Sequence, residues 1–212
     1  IMIVIQIGGL GLMTLIALFV IFLSGKLSIS NRLALNEAVN YFDLHDFNHF
    51  IRSIVKYTII FESIGFLLLS FRFVPIFGVK QGLFTALFTA VSAFCNAGLD
   101  NLGAVNLQGY VHDPLVNFVV MFLIVVGGLG FGVWFDISQG SKSLLKGKYT
   151  LSYIIKHFKV HTKIAITTSV GLILAGAFII LVSEYGNPTT IGMFTFPEKV
   201  MASLFQSVTT RT

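Results

Sequence analysis

The sequence predicts an all-α membrane protein built from repeated span–hairpin–span units, and three observations lead there. The first is apolar length: residues 1–23, 114–135 and 164–183 carry no charged side chain, and about 20 such residues cross the hydrocarbon layer at 1.5 Å each. The second is charge placement. Residues 24–56 and 136–163 hold ten of the fourteen Lys and Arg, and basic loops stay on the cytoplasmic side. The third is a repeat. GGLG at 8–11 returns at 127–130, 119 positions later, and LFTAVS at 87–92 returns as LFQSVT at 204–209, 117 positions later.

Composition narrows the partners. A chain 55% hydrophobic and only 11% charged, with 22 Phe among 212 residues, has too little polar surface for a soluble all-helical domain, so its solvent is the lipid bilayer. The net charge of +5 sits in loops beside apolar spans. It therefore reads as a topology signal, and no nucleic acid partner is expected. The lone Cys95 excludes an internal disulfide and a cysteine-cluster metal site. No cleavable signal peptide is visible. The sequence opens inside an apolar run and closes inside another intramembrane segment, so an interior piece of a longer protein is expected.

Taken in order, residues 1–23 form the first span, running from the outer face inward. Residues 28–54 place Leu35, Val39, Phe42, Phe47, Phe50, Ile51 and Ile54 at helical spacing, which fits an interfacial amphipathic helix or a linker covering the bundle. Residues 53–71 return outward, with Arg72 snorkelling at the outer end. Pro75 and Gly78 mark a turn. The next nineteen residues, 81–99, are uncharged yet must not cross, because two cytoplasmic loops need an even number of crossings between them. This segment is rich in Ala, Thr, Ser and Gly, so it enters and returns by one face. Asp113-Pro114 starts the next helix, with a carboxylate at the N-cap and proline in the first turn. Residues 114–135 cross inward, 164–183 cross outward, Asn187-Pro188 turns, and 196–208 form a second short helix. All four prolines (75, 114, 188 and 197) fall on the outer side.

Irregular backbone survives at membrane depth only where protein or a water-filled path surrounds it. A stripped cation needs oxygens in place of its water shell, and backbone carbonyls supply them without adding charge. Residues 81–94 would aim a helix C-terminus at the ion. Gly98 permits the unusual dihedrals of an extended filter strand, and Cys95, Asn96 and Ala97 would contribute main-chain oxygens. A unit with an even number of crossings repeats in parallel, so the hairpin tips gather at a shared axis.

QIGGLG at 6–11, SAFCNAGLDNLGA at 92–104, GYVHDPLVN at 109–117, GGLGFGVWFD at 127–136 and LFQSVTTRT at 204–212 together resemble the Trk/Ktr/HKT superfamily of potassium transporters. The resemblance covers nearly the whole chain and is closest to the membrane subunit of bacterial Ktr systems. It implies a K+ channel-like fold of four fused helix–pore-loop–helix units, pseudo-fourfold around a central pore. Residues 1–27 are then the second transmembrane helix of repeat one. Residues 28–142 are repeat two, with pore helix 81–94, filter 95–99 and transmembrane helix 114–136. Residues 143–212 are a cytoplasmic loop and the start of repeat three, with transmembrane helix 164–184, pore helix 196–208 and filter 209–212.

The same resemblance assigns Cys95, Asn96, Ala97, Gly98, Thr210, Arg211 and Thr212 to filter segments, with K+ held by the carbonyls of Asn96, Ala97, Gly98 and Thr212. It makes Gly98 the filter glycine of repeat two and Thr212 the equivalent of Asn96. The sequence departs from the family pattern at TTRT, where relatives often read TPRT, and at Cys95, where they often carry Asn. The family's gating loop, in the second half of repeat three, lies outside the sequence. The resemblance further implies a multi-pass protein of the cell membrane with no bound cofactor. It would be a homodimer on a cytosolic ring of nucleotide-binding subunits, passing K+ with Na+ as a candidate activator.

Several residues carry two readings. Gly8, Gly9, Gly11, Gly127, Gly128 and Gly130 could mimic a dinucleotide loop, but inside apolar spans they are expected to pack helices close to the filter. Glu62, alone inside a span, is either structural support or an ion-coupling group. Arg211 is expected to point behind the filter and brace it through carbonyls or a carboxylate, with direct control of selectivity the sharper alternative. His157 and His161 are spaced as metal ligands but sit in a lysine-rich helix. Asp136 closes the GGLGFGVWFD motif and is a further candidate. A membrane-embedded enzyme acting on a lipid would need clustered acids, bases or nucleophiles, and none is present. A non-conducting scaffold leaves two hairpins at one period unexplained.

Overall fold

The computed structural model describes residues 1–9, 47–145 and 150–212. Among them all regular elements are helical: α1 (Met2–Gly9), α2 (Phe47–Phe77), α3 (Val79–Phe94), a 3₁₀ segment (Gly103–Tyr110), α4 (Pro114–Gly128), α5 (Phe131–Leu145), α6 (Leu151–His157), α7 (Val160–Glu184) and α8 (Phe196–Arg211). The remainder of the first span, Gly11 and most of the amphipathic segment lie outside the described residues.

Two helical stretches are long and apolar enough to cross a membrane, Arg52–Phe77 with 26 residues and Val160–Glu184 with 25. Their outer faces are apolar and open: Leu67 and Phe71 on α2, and Leu172, Phe178 and Ile179 on α7, are all exposed. Pro75 does not break α2 as expected. It sits in the last turn, where its fixed φ suits a helix and only one backbone hydrogen bond is forfeited. The turn comes at Gly78, whose φ of +77 reverses the chain in a single residue. α3 then folds back on α2 so closely that a Cβ on Gly82 would lie 2.6 Å from Val74 Cα. With 16 residues it rises about 24 Å, short of a full crossing.

The expected span 114–136 is not one straight helix. α4 and α5 meet at Leu129-Gly130 and diverge by 99°, with Gly130 at φ +85. The break costs little, because the indole N–H of Trp134 donates to the Val126 carbonyl at 2.8 Å, replacing the partner that a continuing helix would have supplied. At its other end α4 starts as expected. Asp113 Oδ1 accepts from the N–H groups of Leu115 and Val116 at 3.1 and 3.3 Å. At this end Arg72 pairs with that same Asp113.

The core lies where four helices meet: Leu69 and Phe73 of α2, Ala86 and Ala90 of α3, Val116, Val120 and Leu123 of α4, and Val208 of α8. Small residues on α3 let its backbone approach its neighbours, which is how helices associate where water offers no driving force.

Candidate functional site

α3 ends in a Schellman turn. The N–H of Ala97 donates to Ser92 O at 2.9 Å and that of Asn96 to Ala93 O at 3.2 Å, while Asn96 takes the left-handed φ of 54°. Beyond it Gly98 adopts φ +67, and the Leu99 N–H donates to Ser92 Oγ at 2.9 Å. These bonds consume the backbone donors of Asn96, Ala97 and Leu99. Among the described residues no hydrogen bond ends on the carbonyl oxygens of Cys95, Asn96, Ala97 or Gly98.

α8 repeats α3 in register. Both have 16 residues, and adding 117 to the bounds of α3 gives those of α8. By that offset Thr212 falls level with Cys95 at the two helix ends. Thr209, Thr210 and Arg211, expected to begin an extended filter, lie inside the helix, with both threonine hydroxyls bonded back to Gln206 O at 2.9 Å. The glycine corners repeat as well. A Cβ on Gly9 would collide with Cys95, and one on Gly128 would come 2.9 Å from Thr212 Cγ2 and 2.7 Å from Arg211 Nη1. On Gly127 it would overlap the Phe94 carbonyl, whereas at Gly8 and Gly130 the space is open.

A cavity of about 540 Å³ separates the two helix ends. Asn96, Gly98 and Leu99 line one side, Gln206, Thr209 and Thr212 another, and Asn117 of α4 a third. Asn117 is itself fixed, its amide donating to Tyr110 O at 2.8 Å and to Asp113 O at 2.7 Å. Cys95 turns away from this cavity. Its Sγ is 3.9 Å from both Gln6 Oε1 and Glu62 Oε1, and Gln6 also bonds the Glu62 carboxylate. Arg211 likewise points behind its helix end and donates to Ser169 Oγ on α7. That partner is a hydroxyl, not the carbonyl or carboxylate expected.

A profile of the TrkH family, described as cation transport protein, matches residues 2–212. The chain belongs to the TrkH family. It is 39% identical over 208 residues to Ktr system potassium uptake protein B of Bacillus subtilis (strain 168), covering 98% of this chain and 44% of that protein. It is 38% identical over 213 residues to potassium/sodium uptake protein NtpJ of Enterococcus hirae, covering 100% and 44%. To Ktr system potassium uptake protein B of Vibrio alginolyticus it is 36% identical over 207 residues, covering 98% and 43%. The chain thus spans less than half the length of these relatives.

Other candidates in this TrkH-family chain have local roles. Asp136 Oδ2 accepts the Lys159 N–H at 2.9 Å at the start of α7. His157 stacks on Tyr153 with ring centroids 3.8 Å apart, and among the described residues no cluster of three His, Cys, Asp or Glu could hold a metal. Gln6 and Ser169 were not singled out from sequence. Gln6 did leave a signal, as the one hydrogen-bonding amide in an apolar run beside GGLG. Ser169 left none.

Proposed function

We propose that this chain forms part of the ion pathway of a potassium uptake transporter, with K+ passing between carbonyls of the α3 hairpin and those of the neighbouring repeat. Asn96, Ala97 and Gly98 supply three of those oxygens and Thr212 a fourth. Cys95 and Arg211 brace the ends from behind. The observation that carries this reading is the set of carbonyls at the end of α3, stripped of hydrogen-bond donors beside a cavity that α8 shares in the same register. Oxygens held in place with no proton donor are what a dehydrated cation requires.

The finer organisation follows from the same reading. Span, short helix and bent helix form one repeat, and copies surround an axis normal to the membrane, four in the whole protein. The basic segments face the cytoplasm, and the protein crosses the cell membrane several times. By analogy with the relatives named for potassium and potassium/sodium uptake, Na+ is an activator or a second transported ion. A homodimer seated on a cytosolic nucleotide-binding ring is the assembly that suits the family.

The test is rubidium uptake by cells that lack their own K+ uptake and express the full-length transporter. K+-competed Rb+ entry is expected. Gly98→Ser, forced into a left-handed dihedral that costs ~1–2 kcal/mol, should change the K+ over Na+ preference about tenfold at normal abundance. Unchanged preference in a well-expressed variant would remove Gly98 from the filter.

A further inference from the structure

We propose that Thr85 and Ser92, the outer rungs of a hydroxyl ladder on α3 with Thr89 between them, fix residues 99–101 against α3 and so set which cation the adjacent carbonyls prefer. This rests on the reading of residues 95–98 as a filter. The three residues fall at i, i+4 and i+7, on one face of α3. They are among the most buried polar groups of the described residues, at 1%, 2% and 3% exposure. A hydroxyl buried in an apolar bundle costs free energy unless it is bonded, and helix formation itself asks for none of them.

Two rungs are closed. Ser92 Oγ accepts the Leu99 N–H at 2.9 Å, and Thr85 Oγ1 bonds Asn101 Nδ2 at 3.1 Å. Ser92 thereby holds both ends of the Ala97-Gly98 bridge: its carbonyl takes the Ala97 N–H and its hydroxyl takes that of Leu99. The middle rung is open. Thr89 Oγ1 and Asn101 Oδ1 are buried and have no partner among the described residues, so the position of Asn101 is set from Thr85. Adding 117 places Ala202, Gln206 and Thr209 on the matching face of α8, which therefore carries only one hydroxyl of the three. The device belongs to the α3 hairpin.

K+ and Na+ differ by tenths of an ångström in radius, and the placement and field of the coordinating carbonyls decide between them. A bridge of two residues pinned at both ends has little freedom to close around the smaller ion. Freeing the Leu99 N–H, or the Asn101 amide behind it, restores that freedom.

The experiment measures competition of K+ and Na+ against Rb+ uptake by the full-length transporter at matched membrane abundance. Ser92→Ala and Thr85→Val should each shift the ratio of apparent affinities about fivefold, the equivalent of ~1 kcal/mol for one hydrogen bond. Thr85→Ser keeps the rung and should restore the ratio. Thr89→Val should shift it less than either. Should Ser92→Ala fail to reach the membrane, Thr85→Val against Thr85→Ser decides. Ratios within about twofold of wild type for the rung variants, below the value of one hydrogen bond, overturn the ladder, as does a Thr89→Val shift as large as theirs. Absence of K+-competed uptake by the wild type would instead overturn the filter reading.

Discussion

α3 and α8 are the same length and meet a glycine corner at the same register, yet one end is backed by a carboxylate and the other by a guanidinium. Glu62 and Gln6 sit behind Cys95, whereas Arg211 reaches Ser169 behind Thr212. The backbone frame at both helix ends is thus set by what is absent, the side chains of Gly9 and Gly128. The bracing is private to each copy. In the proposed pathway the opposite charges offset each other and leave neutral carbonyls to discriminate between ions of equal charge.

The frame is the part of this comparison that breaks most dramatically. Gly127→Ala drives a Cβ into the Phe94 carbonyl, a backbone atom that cannot swing aside, and should cost roughly 3 kcal/mol or more. Gly9→Ala, against Cys95, should cost less. Gly128→Ala should be milder again, because Arg211 Nη1 is the far end of a flexible side chain. Gly8→Ala, with nothing within 4 Å, should be neutral. Thermal unfolding of the full-length transporter in lipid nanodiscs ranks the four. A Gly8→Ala loss equal to that of Gly127→Ala would show that the glycines serve helix flexibility rather than close approach.

The bracing should respond more gently and with opposite signs. Glu62→Gln removes the carboxyl group behind Cys95 and should weaken apparent K+ affinity. Arg211→Gln should tighten it. Each shift should be roughly three- to tenfold at an effective dielectric near 20, read from the concentration dependence of Rb+ uptake. Shifts of the same sign would mean that bracing geometry outweighs charge, and the two ends would then differ less than their residues suggest.

What the sequence displayed of all this was its periodic part. The Asp113-Pro114 pair announced the start of α4, and the uncharged run 164–183 falls within α7. Contacts between residues far apart in sequence left no local trace. Arg72 meets Asp113 forty-one positions away, and Arg211 meets Ser169 forty-two positions away. The 99° bend was hidden for a different reason. GGLG read as a packing motif, which Gly127 and Gly128 fit, but Gly130 is a hinge, and only Trp134 reaching back to Val126 makes the hinge cheap.

The starts of the two short helices differ as their ends do, and acid should reveal it. α3 begins at Gly78 with no side-chain cap. α8 begins with a capping box in which the Thr195 N–H and hydroxyl both donate to Glu198 Oε2 at 2.8 Å, while Oε1 lies 2.7 Å from His112 Nδ1. The bonds from Thr195, and then the one to His112, hold the Glu198 carboxyl below the usual carboxylate range. A depressed carboxyl adds stability above its unfolded pKa, near 4.3, and loses it as pH falls through the lower folded value. Unfolding midpoints should therefore be flat from neutral pH to about 5 and fall below that. Glu198→Gln should start lower and show a shallower acid limb, since Gln cannot titrate. The effect is small because the group is exposed to solvent. An acid limb identical in Glu198→Gln and wild type would leave α8 capped no better than α3, and the asymmetry of the two hairpins would rest on their inner ends alone.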